Sequence, residues 1–406
     1  MKILVLNAGS SSQKSCLYSI PDDSVPAHPP EPIWQADIDF TVNDEHGILT
    51  VKANGMEREI TVPGENRSQG ITIMVNTLIE GDTRVLNHLS EINCVGHRVV
   101  HGGSNYSQSV IVTPEVKSSI RELIPLAPAH NGANLEGIEV MENSLPNVPQ
   151  VAVFDTAFHR TIPPESSTYP LPREWWEKGI KRYGFHGTSH KYCAGKAAEI
   201  LDKPLDSLRM IICHLGNGAS LCAVKNGESI DTTMGFTPLE GLMMGSRSGS
   251  LDPAILIYLM RNHGFTADEL DRLLNKESGL KGVSGISADM RAITTAMNEG
   301  DSRARLALDM YIHRLRGCMG SMIASLEGLD VLVFTAGIGE NAPSIREKAC
   351  EGWNFLGLKI DGDKNRSHPR NIDIATTDSP VRILVIHTEE DWTIARDCIE
   401  LLKGKV

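Results

Sequence analysis

Leu4-Val5-Leu6-Asn7-Ala8-Gly9-Ser10-Ser11-Ser12-Gln13-Lys14 is the stretch whose reading decides the fold. An apolar run of strand character stops at Asn7, small and hydroxyl residues follow, and a second apolar run begins near Cys16. Few Cβ atoms stand in such a turn, so backbone N–H groups can approach an anion closely. Ser10, Ser11 and Ser12 add hydroxyl donors, and Lys14 adds a positive charge. Alone, the stretch fits a serine-rich hairpin turn as well as it fits a phosphate hook. A second copy separates the two. Residues 210–224 read Met-Ile-Ile-Cys-His-Leu-Gly-Asn-Gly-Ala-Ser-Leu-Cys-Ala-Val: an apolar strand again ends in Asn, at Asn217, then small residues and Ser220 follow and an apolar strand resumes. Internal similarity outweighs any single motif. Paired hooks point to a duplicated domain that grips one polyphosphate from both sides.

At 406 residues the chain exceeds what one hydrophobic core usually holds, which favours two domains. Its 41% hydrophobic and 22% charged residues are ordinary for a globular protein, and no run is long and apolar enough to span a bilayer. Met1-Lys2-Ile3 enters a strand at once, without the apolar region and cleavage site of a secretory signal, so the cytoplasm is the expected compartment. The eight cysteines include no Cys-x-x-Cys pair and several sit in apolar strands, which favours reduced, buried thiols. His97/His101 and His186/His190 share a four-residue spacing, but no cysteine or carboxylate pattern completes a zinc ligand set. A net charge of −12 argues against nucleic-acid and acidic-membrane partners. An acidic protein that binds anions must concentrate its arginines locally, which draws attention to Arg within small, polar loops.

Strand patterns at 2–7, 15–20, 33–40, 48–53 and 58–62 open the chain, followed by a helical pattern over 69–87, a strand at 92–100, a helix at 134–143 and a strand at 151–154. The second half repeats the plan. A helix at 187–201 precedes strands at 209–215, 219–225 and 228–233; helices follow at 252–263, 266–275, 288–299 and 301–327, then a strand at 331–334 and a last strand at 382–386. Such a mixture fits an α/β, duplicated ribonuclease-H-like fold. The expected domains are 1–155 with 388–406, and 156–387. Apolar positions along Arg303–Leu326 could serve a core or a subunit contact.

Neither a P-loop nor a Gly-x-Gly-x-x-Gly motif occurs, so the hooks are the candidate phosphate ligands. Thr335-Ala336-Gly337-Ile338-Gly339-Glu340-Asn341 forms a third Gly-rich turn; it follows a buried strand and opens a helix at Pro343, which places free N–H groups beside a ligand or forms a plain strand–helix turn. Arg98, in Gly96-His97-Arg98-Val99-Val100-His101-Gly102-Gly103, and Arg247, in Gly245-Ser246-Arg247-Ser248-Gly249, are flanked by small residues that keep a guanidinium reachable. A guanidinium is a planar fork matched to carboxylate and phosphate oxygens, although a structural salt bridge uses the same fork.

Asn-Ala-Gly-Ser-Ser-Ser-x-Lys at the chain start, followed by His-Leu-Gly-Asn-Gly at 214–218, resembles the acetate kinase family, within the superfamily of actin, sugar kinases and the large heat-shock chaperones. The similarity runs over nearly the whole chain. It implies the actin-like ATPase fold, with two domains flanking a cleft and the C-terminal helix returning to the first. It implies ATP/ADP and Mg²⁺, with Mn²⁺ able to substitute, as cofactors, and a homodimer formed through the second domain.

By the same resemblance, Ser10, Ser12, Lys14, His214, Leu215, Gly216, Asn217 and Gly218 hold phosphates. Asp289, Met290 and Arg291 lie on the nucleotide side, with Met290 where relatives often carry Phe. Gly337, Ile338, Gly339, Glu340 and Asn341 hold the adenosine. His186, in Tyr-Gly-Phe-His-Gly-Thr-Ser-His, matches the transition-state-stabilising histidine, His130 another active-site histidine, and Asp155 the essential aspartate. Glu390 matches the magnesium-associated glutamate, with Asn7 its partner; relatives often carry Asn at position 389 and Glu at 391. Val100, Ala129, Phe185 and Pro238 line the pocket for the acetate methyl, and Ala129 stands where relatives often have Leu.

The implied reaction is reversible transfer of the ATP γ-phosphoryl group to acetate, giving acetyl phosphate. Acetate is ionised at neutral pH and needs no general base, so Asp155 is expected to orient an arginine or the metal-bound nucleotide. Arg98 orients the carboxylate, while Arg247 and His186 neutralise the phosphoryl group. Acetate is expected to be preferred, with measurable propionate turnover; equal turnover would describe a propionate kinase. The rival from another class, a non-catalytic ATP-binding relative of actin or the chaperones, has no use for Arg98, Arg247 and His186 together.

Overall fold

The structure is a computed structural model that describes residues 1–406 except 10–11, 22–24, 27, 41–45, 129 and 404–406. Ser10, Ser11 and Ala129 therefore lie outside the described residues. Contacts divide the chain into two units, Met1–Ala157 with Glu389–Val406 and Phe158–Thr388.

The first unit is built on an eight-stranded sheet of β1 (Lys2–Ala8), β2 (Ser12–Ser19), β3 (Trp34–Asp39), β4 (His46–Ala53), β5 (Met56–Pro63), β6 (Cys94–Val99), β7 (Val110–Ile111) and β8 (Gln150–Phe154), in the order β5-β4-β3-β2-β1-β6-β8-β7. Strands β1 to β5 run antiparallel in succession, whereas β6 is parallel to β1 and β8 is parallel to β6. The continuous apolar run of β1 follows from burial on both faces of a central strand. Leu4, Leu6, Leu17 and Val95 join a core with Ile71, Met74 and Met141 of the helices Arg67–Asn76 and Asn131–Ser144. Alternate residues face the other way. There the helix Glu390–Lys403 lies on β1, β6 and β8. It comes so near that a Cβ on Gly96 would sit 2.6 Å from Ile394 Cγ2 and 2.7 Å from Cys398 Sγ. The bare backbone of Gly96 is what admits this helix.

The second unit has a six-stranded sheet of β9 (Arg209–Leu215), β10 (Ala219–Lys225), β11 (Glu228–Thr232), β12 (Val331–Thr335), β13 (Ile372–Asp373) and β14 (Arg382–Val385), in the order β11-β10-β9-β12-β14-β13. Its antiparallel β9–β10–β11 and parallel β9–β12–β14 repeat the relations of β1–β2–β3 and β1–β6–β8. The fold is thus mixed α/β with a duplicated actin-like plan, and each hook is the first hairpin of its sheet. The helix Ser302–Leu326, capped by Asp301 on the N–H groups of Arg303 and Ala304, buries Leu308, Tyr311, Leu315, Met319 and Met322. Its apolar stripe serves the core.

Two expectations need correction. The helix expected over 69–87 ends at Asn76, because Gly81 takes a positive φ of 74° and the chain doubles back, with Val85 and Leu86 donating to the carbonyl of Leu78. The Gly-rich turn at 335–341 is a short helix, Ala336–Asn341, closed by Glu340 Oε1 accepting from the Ala336 N–H at 3.0 Å.

Candidate active site

In the first unit, Asn7, Arg98 and Asp155 sit at the carboxyl ends of β1, β6 and β8, the parallel neighbours of the sheet. Such ends are where open α/β sheets bind ligands. Arg98 Nε donates to Asp155 Oδ2 at 3.0 Å, Nη2 to the same oxygen at 2.6 Å, and Nη1 to Asn7 Oδ1 at 3.1 Å. Asn7 Nδ2 in turn donates to Asp391 Oδ1 at 2.8 Å. A guanidinium has five N–H groups. Asp155 takes Nε–H and one Nη2–H, and Asn7 takes one Nη1–H, which leaves one N–H on each Nη for a carboxylate or phosphate. Burial opposes the charge of Arg98, but Asp155, followed by Glu390, outweighs it and holds the guanidinium above its ordinary pKa. Glu390 and Asp391 open the last helix, and burial pushes both carboxyls above the usual range. Arg98 tempers this at Glu390, and the Asn7 amide does so at Asp391.

In the second unit, His186 caps the helix Gly187–Leu201 with a left-handed backbone, φ 57°. Its ring stacks on His214, with centroids 4.1 Å apart, and its Nδ1 lies 2.9 Å from Ser220 Oγ. His214 Nδ1 is fixed 2.8 Å from Ser189 Oγ. Gly218 marks where His186 meets Arg247: a Cβ there would lie 3.3 Å from Arg247 Nη1 and 3.6 Å from His186 Nε2. Arg247 donates to the Pro238 carbonyl at 3.2 Å and touches Met244 Sδ at 3.9 Å, and among the described residues no carboxylate pairs with it. Burial pulls its pKa below the ordinary value.

Beside this corner opens a cavity of about 860 Å³. Gly216, Asn217, Asp289, Met290, Arg291, Gly337, Ile338 and Asn341 line it, as do Ser287, Ala288, Thr294, Thr295 and Ala342 to Ser344. Met290 is buried and opens the helix Met290–Asn298, capped by Asp289, which Arg291 grips with its guanidinium. Leu215, Gly339 and Glu340 do not line the cavity. Leu215 is wholly buried in the sheet, the Gly339 carbonyl accepts from Arg346, and Glu340 is spent on capping Ala336 and on His387. His214 also stays off the lining, in its stack with His186.

Of the remaining expected residues, Ser12 and Lys14 start β2, and Lys14 is exposed opposite Asn7. Val100 and Phe185 are buried, His130 precedes the helix Asn131–Ser144, and Pro238 lends its carbonyl to Arg247. Sequence reasoning missed Arg67, whose Nη2 donates to the carbonyls of Gly9 at 2.9 Å and Ser12 at 2.8 Å, bracing the first hook. It also missed the threonines and Ser344 of the cavity, which carry no motif.

The model of the Acetokinase family matches residues 2–396. An acetate kinase of Microcystis aeruginosa is 66% identical over 401 residues, 99% of this chain and 100% of that protein. One of Rippkaea orientalis is 65% identical over 402 residues, with coverage of 99% and 100%. Among solved structures, acetate kinase of Porphyromonas gingivalis matches with a TM-score of 0.89 at 41% identity over 99% of each chain. A propionate kinase from Francisella tularensis matches with a TM-score of 0.88 at 39% identity over 98% of each.

Proposed function

The chain belongs to the acetokinase family, and from that premise we propose that it is an acetate kinase, transferring the γ-phosphoryl group of ATP reversibly to acetate. A carboxylate oxygen of acetate attacks the γ-phosphorus in line, and the bond to the bridging oxygen breaks. The products are acetyl phosphate and ADP, and no proton moves. One observation carries the choice of acceptor. Asp155, 1% exposed, is held by Arg98 through Nε and Nη2. Acetate is already ionised at neutral pH and needs no general base, so Asp155 can be given over to holding Arg98 in place. The remaining N–H groups of Arg98 suit such a carboxylate.

Catalysis of this kind is positioning and charge neutralisation. Arg98 orients acetate beside Val100 and His130 of its own unit. Arg247 and His186 neutralise the equatorial oxygens, the Gly216-Asn217-Gly218 turn and the Ser10–Ser12 turn with Lys14 hold phosphates, and the cavity takes the adenosine. By the family resemblance, Phe185 and Pro238 take part in selecting the acceptor.

Mg²⁺ asks for hard oxygen donors, and the raised pKa values of Glu390 and Asp391 mark carboxylates whose burial a divalent cation would relieve. Among the described residues no group of three or more His, Cys, Asp or Glu side chains forms a closed set. Those donors fit an ion that completes its shell with phosphate and water, as Mg²⁺ does. Glu390 and Asn7 would hold it, Mn²⁺ can substitute, and the bound ion supplies neutralisation of phosphate charge.

The protein works in the cytoplasm, on acetate and ATP, as a homodimer. The helix Ala254–His263 supports the dimer, since Ile255, Ile257, Tyr258 and Met260 are 46–57% exposed. Trapping acetyl phosphate as its hydroxamate from ATP, Mg²⁺ and acetate tests the activity; no product would refute it. Comparing kcat/KM for acetate and propionate tests the acceptor. One methylene is worth about 10- to 200-fold, and equal values would indicate a propionate kinase.

A further inference from the structure

Ser220 has no exposed surface, and its hydroxyl oxygen has a histidine on either side, His186 Nδ1 at 2.9 Å and His190 Nε2 at 2.8 Å. One hydroxyl proton is thus set between two rings. His190 is itself wholly buried, and its Nδ1 has no hydrogen-bond partner. Burial, then the neighbouring His159 and His214, pushes His190 well below its ordinary pKa, so the ring is neutral and carries a single proton.

The proton count leaves few arrangements. If His190 carried its proton on Nδ1, a buried N–H would be stranded. If both histidines donated to Ser220, the hydroxyl proton would be stranded instead. Orphaned buried donors are rare, because each forfeits its full hydration. The remaining arrangement strands only a lone pair: His190 Nε2–H donates to Ser220 Oγ, and Ser220 O–H donates to His186 Nδ1. His186 then carries its own proton on Nε2, the nitrogen 3.6 Å from the position a Gly218 Cβ would take, alongside Arg247.

We propose that His190 is a positioning residue, which through Ser220 fixes His186 as the tautomer that offers an N–H donor from Nε2 toward Gly218 and Arg247. This rests on the phosphotransfer reading above, in which His186 stabilises the phosphoryl group. The opposite tautomer would turn a lone pair toward phosphoryl oxygens and repel them, whereas a preset donor stabilises the charge that develops there. The stack on His214 and the left-handed backbone of His186 fix the ring position. The relay settles which nitrogen bears the hydrogen.

The test begins with the unmodified protein. Long-range ¹H–¹⁵N spectra of the histidine-labelled chain, assigned by the loss of signals in His186→Gln, report the tautomer directly. The expected result is His186 protonated on Nε2, and protonation on Nδ1 overturns the proposal whatever the enzyme's activity. Ser220→Ala is expected to release the tautomer and lower kcat by about 10- to 100-fold, with KM for ATP and acetate little changed. His190→Gln, whose amide can donate from near the Nε2 position, is expected to keep the Nε2–H tautomer and most of the rate, and His190→Leu to lose both. In a His186→Ala background, Ser220→Ala is expected to have little further effect on kcat. The same loss in both backgrounds overturns the relay, as does an unchanged kcat in Ser220→Ala. An Nε2–H tautomer in a chain without acetate kinase activity would instead sink the functional reading and leave the relay standing.

Discussion

Arg98 in the first unit and Arg247 in the second are both candidate ligands of the reacting anions, yet they are held by opposite means. Arg98 has a carboxylate partner in Asp155 and an amide partner in Asn7, and its pKa is raised. Arg247 has a carbonyl and a thioether, no carboxylate among the described residues, and a pKa lowered by burial. Most of the charge of Arg98 is already answered. What its setting fixes is direction, since Asp155 and Asn7 hold three of its N–H groups. Arg247 is a cation whose desolvation no carboxylate among the described residues offsets, so an incoming anion gains the most there. On the proposed reading, one guanidinium orients and the other neutralises.

The largest effect should therefore fall on Arg247. Arg247→Ala is expected to reduce kcat by about 10³-fold or more, with KM for ATP within a few-fold and an unchanged circular dichroism spectrum. Arg247→Lys should recover little, since a point charge on a flexible stem does not reproduce the fork. A near-normal rate in Arg247→Ala would erase the contrast.

Asp155→Asn comes next and sharpens the orienting half. It keeps the shape but removes the charge that holds Arg98, so kcat/KM for acetate should fall by about 10²-fold while KM for ATP changes little. Leaving a largely buried arginine unpaired should also destabilise the first unit by about 3 kcal/mol, read as a lower Tm. Equal losses toward both substrates would argue against a purely orienting Arg98.

Gly218→Ala tests the second corner without touching charge. The added Cβ would stand 3.3 Å from Arg247 Nη1 and 3.6 Å from His186 Nε2, where a phosphoryl oxygen is expected. An approximately tenfold fall in kcat is the expected outcome, since a misplaced reactive geometry is costly even at sub-ångström scale. Smallest is Ile338→Ala on the cavity wall, for which a few-fold rise in KM for ATP at unchanged kcat is expected, the mark of lost uniform binding.

The duplicated plan was legible because it is written in local signals. Both hairpins carry an apolar run, an Asn and a small-residue turn, and the returning helix at 390–403 opens with an acidic turn favourable to its dipole. What was not legible depends on long-range approach. Arg67 braces a turn 58 and 55 residues away and has no motif of its own. The helix ending at Asn76 was hidden because Leu78, Val85 and Leu86 continue an apolar pattern through a chain that has already turned back. Glu340 looks like a ligand in sequence, but its carboxylate closes its own helix and meets His387. The Ser220 relay joins a strand to a helix that precedes it by many residues, and spacing alone cannot show that one hydroxyl lies between two imidazoles.

Titration of ADP with aluminium fluoride and acetate, a mimic of the phosphoryl group in transfer, into the unmodified protein and Arg247→Ala tests the central contrast most directly. The account predicts that Arg247→Ala binds ADP alone about as well as the unmodified protein but loses most of the added affinity of the mimic, because complementarity belongs to the transition state. Equal affinity of both proteins for the mimic would contradict the role given to Arg247.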